Sequence, residues 1–402
     1  MRIYLSLSVL LLSSSAVFAT VDANVQAPAD LMYSAEGENI SCAVDKGLRF
    51  CKDKNGLPYT GMAFTQYENS SLAKKDFYKD GYLDGVSSTY HENGELKEEV
   101  TYVNGVANGV AKVFYDNAEL KNEGTYKNGK LNGVIKSYYE NAQLHKQGNY
   151  VDGILNGKAL TYYENGQLQS EENYVDGKID GKAVQYYENG QLRQETNFVE
   201  NLIDGVSLVY YDNGQLLSEA NFKNGKFEGE FNEYYLNGQL KLKGSFVDDL
   251  KNGVFTIYYE NGNTLLEETY VNGVKDGKSL QYFENGQLEL EKHYVNNALT
   301  GLVKEYYSNG QLKVEVYYEN GKMEGYKYMY YENGHMMAEG NFKNDLPDGI
   351  VKAYNENGEL IAENMFIDGK MVEDVSQHVS DESLEDAIDK ELEAMENSDT
   401  QR

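Results

Sequence analysis

The strongest constraint on this chain is a recurrence: Asn returns every 24 residues from Asn69 to Asn357, thirteen times without an insertion. A fixed period of that length makes each copy one supersecondary unit that buries its apolar surface only by stacking on its neighbours. Gly keeps the same step from Gly61 through Gly181 to Gly349, and an aromatic keeps it from Tyr78 through Phe198 to Phe366.

In the unit "GKAVQYYENGQLRQETNFVENLID", residues 181–204, the Asn189-Gly190 pair lies between two stretches of alternating β-favouring residues. That arrangement reads as a hairpin closed by a two-residue primed turn. It pairs Tyr187 with Leu192, Gln185 with Gln194, Ala183 with Thr196 and Gly181 with Phe198, so that an aromatic ring covers each bare glycine. A second turn at Asp176-Gly177 sets Tyr174 opposite Ile179 and Glu171 opposite Lys182. Strands of eleven and nine residues then shear by two residues per repeat, roughly 7 Å, and the sheet tilts as it rolls. Ala183, Tyr187, Leu192, Phe198 and the Ile179 column form the packed face; Tyr186, Arg193, Glu195 and Lys182 form the presented one. The second turn replaces Gly in every other repeat, at Asn201, Asp249, Asn297 and Asp345. Asn and Asp tolerate the positive φ that Gly supplies, and the alternation points to growth by duplicated pairs of repeats.

The expected fold class is therefore all-β, an open array of antiparallel β-hairpins forming one long twisted or rolled sheet. With 36 Tyr, 39 Gly, 3 Pro and no Trp, the composition suits many strands and tight turns. Residues 1–19 read as a secretory signal peptide, with Arg2, an apolar run from Leu5 to Leu12 and small residues ending at Ala19. The expectation is an exported protein, periplasmic or secreted. Cys42 and Cys51 then suit a disulfide that pins a cap within residues 20–56. The array proper spans residues 57–370, about thirteen repeats. Residues 371–402 form an acidic tail in which Leu384, Ile388, Leu392 and Met395 share one face of a short C-terminal helix.

A net charge of −29 argues against nucleic acid and against an anionic membrane surface as partner, and the apolar run is too short to insert as a bilayer span. A protein partner, basic in character, suits it. No catalytic constellation is evident. His91, His145, His293, His335 and His378 share no repeat column and show no ligand spacing. The Glu column, which includes Glu171 and Glu195, is read as cross-strand structure. The turn acids Asp152, Asp176 and Asp180 give way to Asn in sister repeats, at Asn128 and Asn132, which a turn accepts and a metal ladder does not. Neither enzyme nor cofactor is expected. The ladder of Tyr138, Tyr162, Tyr186, Tyr210, Tyr234 and Tyr258 is the candidate protein-binding face, because tyrosine offers a large rigid surface with a polar tip.

The phrase "YYENGQLxxExxYxDGKxDG" resembles the variant class of MORN repeats in bacterial proteins grouped as YwqK-type antitoxins, over roughly residues 57–370. The resemblance implies a β-hairpin repeat sheet and a protein-neutralising or scaffolding role, with antitoxin or immunity action as its specific form. An alternative from another class is a structural or carbohydrate-facing component of the cell envelope. Clostridial-type cell-wall-binding repeats also use tyrosine and a short glycine-rich period, but they stack ligand on tryptophan, which this chain lacks.

Overall fold

A computed structural model describes residues 32–374 apart from Lys46. The expected signal peptide and the expected C-terminal helix over residues 381–396 lie outside the described residues. Among the described residues there are 35 strands, every pairing is antiparallel, and no helix occurs. They fall into two compact units, one ending at Lys226 and the other starting at Phe227.

In each unit the chain runs up and down through consecutive hairpins. The strands Gly181–Tyr186, Leu192–Val199 and Leu202–Tyr210 are typical. Three of the four expected pairs across the first turn are present: Gly181 with Phe198, Ala183 with Thr196, and Gln185 with Gln194. The fourth differs. Tyr186, not Tyr187, faces Leu192 after a one-residue register shift. The turn is correspondingly longer: Gly190 N donates to Tyr187 O at 2.8 Å and Tyr187 N to Gln191 O at 2.8 Å. Only Gly190 takes a left-handed φ, of 83°. This is a three-residue loop with a bulge, rather than the primed turn that Asn-Gly suggests. The Asn189 side chain explains the change, because its Oδ1 accepts from Gln191 N at 2.9 Å and so holds the wider turn.

The second turn is the primed one. Asp176 and Gly177 both have positive φ, 48° and 78°, and Tyr174 faces Ile179 as expected. Glu171, however, faces Val184 rather than Lys182. Between those two pairs, from Ile179 to Val184, the returning strand carries two residues more than its partner. They cancel the expected shear: Val184 pairs with Glu195, and Glu195 with Leu208, one full repeat further on. In the second unit Thr256, Glu267 and Leu280 run in the same way. Repeat columns therefore stand in direct line through the body of the sheet.

Gly181 has a φ of +102°, and a Cβ built there would meet only the Asn173 side chain, at 3.9 Å. The glycine answers to backbone conformation at this two-residue bulge. Cover by the Phe198 ring, the expected reason, is not what the position requires.

The packed face holds Ala183, Phe198 and Ile179, each buried. Tyr187 and Leu192, expected beside them, are only half-buried. Glycines in the Thr196 column are matched by large residues next door. A Cβ on Gly124 would lie 2.4 Å from Ile135 Cδ1, and one on Gly244 would lie 2.3 Å from Phe255. Small and large residues thus interdigitate between strands. At the start, Met32, Ile40, Cys51, Ala63, Tyr78 and Leu83 form a core under the first hairpins, beside the bridge that joins Cys42 to Cys51.

Candidate binding face

The first tyrosine of each "YYENG" phrase ends a strand just before the turn, and the strand's alternation aims it away from the buried column. Tyr138, Tyr162, Tyr186 and Tyr210 in the first unit, and Tyr234 and Tyr258 in the second, are all half-buried. Tyr186 faces Leu192 and Tyr162 faces Leu168, so Tyr and Leu alternate along this edge of the sheet. The Tyr138 hydroxyl donates to Glu123 Oε1 at 2.7 Å. Burial, together with that carboxylate, pushes the hydroxyl up to about 12. Burial also raises Tyr210, with Glu195 adding to it.

Beside the tyrosines on the same face run charged and apolar columns. Lys182 pairs with Glu195 at 2.6 Å and Lys158 with Glu171 at 2.6 Å, both partly solvated, so each contributes little to stability. Toward the second turn, Val151, Val175 and Val199 are each about half exposed. Arg193, expected on the presented face, is half-buried and lies over the Tyr187 ring at 5.6 Å, a modest cation–π contact.

The second tyrosine does something that sequence reasoning missed. The Tyr187 hydroxyl donates to the backbone carbonyl of Tyr210 at 2.7 Å, 23 residues on. Tyr115, Tyr139 and Tyr163 make the same bond to Tyr138, Tyr162 and Tyr186. Asn189 adds a second link, from Nδ2 to Asp212 O at 2.8 Å. These two columns are clips between hairpins. Their unbroken spacing was the available signal, since a bond to residue i+23 requires a rigid period.

The turn acids are also engaged. Asp180 Oδ2 accepts from Glu200 N at 3.3 Å and Asp204 Oδ2 from Asn224 N at 3.1 Å. The alternating Asn and Asp of the second turn prove to have a chemical role beyond their history. Asn201 Oδ1 accepts from Ile179 N at 2.6 Å, and Asp249, Asn297 and Asp345 accept from Phe227, Lys275 and Met323 in the same way. Glycine has no such acceptor. Among the described residues no group of three His, Cys, Asp or Glu is placed to hold a metal ion. His91 lies 3.1 Å from Asp116, and His145 packs on Tyr139 with ring centroids 4.2 Å apart.

No curated protein matches the chain. Among solved structures it is similar to the Tc holotoxin pore of Photorhabdus luminescens, at 13% identity and a TM-score of 0.16 over 82% of this chain and 23% of that one. It is also similar to an alternansucrase in complex with isomaltononaose, at 14% identity and a TM-score of 0.18 over 71% of this chain and 23% of that one. The chain thus spans less than a quarter of the length of either. A MORN repeat model matches residues 123–134. The MORN repeat variant model matches twelve consecutive segments from residues 83–104 to residues 347–368, in step with the hairpins described above. The chain belongs to the MORN repeat variant family.

Proposed function

We propose that this chain is an exported, non-enzymatic repeat protein that binds another protein through the presented face of its hairpins. Neutralisation of a toxin, as in YwqK-type antitoxins, is the specific form that the resemblance implies. The observation that carries the reading is the repeated exposure of rigid aromatic area on one face, with Tyr162, Tyr186 and Tyr210 half-buried near the first turn and Val175 and Val199 half-exposed at the other end of the same face. Such amphipathic area is what interfaces concentrate. The charge of −29 favours a basic partner and speeds its encounter.

Changing Tyr162, Tyr186 and Tyr210 together to Thr tests this. The clips survive, because the Tyr163 and Tyr187 hydroxyls bond to backbone carbonyls at positions 186 and 210. Thr also keeps β propensity. Folding should be nearly unchanged by circular dichroism and urea midpoint. Capture of partner from the native envelope should weaken at least about tenfold, since each truncated anchor commonly costs upwards of about 1 kcal/mol. Unchanged capture by a folded variant would remove the tyrosine ladder from the function.

A further inference from the structure

The last hairpin of the second unit breaks two columns that every earlier copy keeps. Val372 stands at the place of Asp180, where the preceding copies from Thr60 to Asp348 carry Asp, Asn, Glu or Thr, and Glu373 stands at the place of Gly181. Asp180 and Asp204 accept from the turn of the hairpin that follows, and among the described residues no hairpin follows Val372. The register changes as well. Phe366 faces Met371 and Met365 faces Glu373, so this returning strand carries one extra residue where the stretch from Ile179 to Val184 carries two. An odd shift turns later side chains to the other face, and the alternation of the array stops here. Met371 is 56% exposed, although its column is buried at Ile179 and Ile203 and half-buried at Met323 and Pro347. Val372 is also 56% exposed, and Leu360 is 49% exposed where Leu192 in its column is half-buried. The strand Lys370–Asp374 pairs only with Leu360–Ile367 among the described residues. An apolar end with an open edge is what a repeat array needs to have covered.

We propose that this end is a docking surface for the chain's own residues 375–402, laid on it through Leu384, Ile388, Leu392 and Met395. The inference goes beyond the protein-binding reading and does not depend on it. Three observations select the occupant. First, residues 375–402 follow directly from Asp374, at the open edge itself. In helical form residues 381–396 span about 24 Å, and residues 375–380 allow a link of about 20 Å, so the segment reaches across the end. Second, Leu384, Ile388, Leu392 and Met395 recur at the spacing of one helical stripe, which matches the apolar Leu360, Met371 and Val372. Third, the charges are complementary. Acids such as Glu385, Asp386 and Asp389 lie between those four residues, and exposed Lys343 and Lys370 stand beside successive turns at this end. A second copy would have to displace the segment and bring two acidic tails together. The first hairpin of the first unit is covered in a comparable way. There Phe50 of the preceding hairpin lies 2.3 Å from where a Cβ on Gly81 would stand, and Cys51 N donates to Gly81 O at 2.8 Å.

A brief pulse of hydrogen peroxide on the full-length protein, read residue by residue by mass spectrometry, tests the docking, because thioether oxidation follows exposure. Met62, 40% exposed in the first unit, serves as the internal standard. Met371 should oxidise at least about fivefold more slowly than Met62, although the array by itself leaves Met371 the more exposed of the two. Ile388→Asp with Leu392→Asp should bring Met371 up to the rate of Met62 or above it, with the strand signal in circular dichroism unchanged. Asp386→Asn with Glu393→Gln, on the side of the helix away from the apolar stripe, should keep the protection. Oxidation of Met371 in the wild type at the rate of Met62 overturns the proposal, as does protection that survives Ile388→Asp with Leu392→Asp. Loss of protection in the Asp386→Asn, Glu393→Gln variant as complete as in the Asp pair would also overturn it, since charge and not the apolar stripe would then hold the segment. Protection that grows with protein concentration over roughly a hundredfold range would overturn it too and make a second copy the occupant.

Discussion

At the turn over Tyr187–Gln191 the link to the next hairpin is made by side chains, the Tyr187 hydroxyl and the Asn189 amide. At the opposite turn, over Val175–Lys178, it is made by backbone: Gly177 N donates to Leu155 O at 2.9 Å, and Asn201 N to Ile179 O at 2.8 Å one repeat on. The difference explains how freely each turn varies. The amide half of that link fixes residue identity, since Asn holds its column without exception from Asn69 to Asn357, whereas the phenol column admits His91, Phe283 and Asn355. A backbone link fixes only conformation, so Gly, Asn and Asp all serve at the Gly177 position, with φ of 66° to 72° where Asn or Asp stands. Two ends of one hairpin thus place different demands on the sequence.

The largest expected effect comes from the bulge that follows the second turn. Gly181→Val forces a β-branched residue to a φ of +102°, which should cost roughly 2–3 kcal/mol. The urea midpoint of the variant measures this. Gly181→Ala should lose much of the same amount, because the strain begins with the Cβ and not with bulk against Phe198. If Phe198→Ala restored the midpoint of Gly181→Val, steric crowding would be the cause and the backbone argument would fail.

That glycine also marks how far the sequence could be read. The hairpin, the period and the Ala183, Ile179 and Phe198 columns were legible, because alternation and Asn-Gly spacing act locally. The zero net shear was not. It depends on two extra residues between Ile179 and Val184, and nothing local distinguishes a strand residue from a bulge residue when both lie between β-formers. The tyrosine face was legible as a column, since its rings follow from strand alternation. The second tyrosine's role was not, because its partner is a carbonyl 23 residues away that only stacking brings near. Side chains at the three-residue loop were misplaced for the same reason: the Asn189 side chain, engaged with Gln191 N, decides the loop length.

A smaller effect should come from the side-chain link. Tyr187→Phe removes the donor to Tyr210 O and should cost about 1 kcal/mol. Phe283, which occupies the same column without a hydroxyl, supplies the converse: Phe283→Tyr should gain a similar amount. Alkali provides a third handle on these clips. Burial raises Tyr115, Tyr139, Tyr235 and Tyr259 above their ordinary value of 10.0. A raised folded-state value means that their contribution is fully present below pH 10, the unfolded value, and is lost as pH climbs through the folded one. Urea midpoints should hold up to about pH 10 and then fall, and replacing those four tyrosines with Phe should flatten the decline.

The smallest expected effect tests the backbone link by adding a side chain to it. Asn at position 177 meets no conformational barrier, since Asn201 already stands in the equivalent place at a φ of 72°. Its Oδ1 would reach back toward Leu155 N, as Asn201 Oδ1 reaches Ile179 N at 2.6 Å. The loss of glycine's left-handed ease and the gain of an acceptor oppose each other, so Gly177→Asn should move stability by no more than about 0.5 kcal/mol, with a small gain favoured. The reverse change, Asn201→Gly, should lose the acceptor and lower the urea midpoint slightly. A loss from Gly177→Asn comparable to that of Gly181→Val would mean that this turn, too, constrains residue identity, and the contrast between the two ends of the hairpin would disappear.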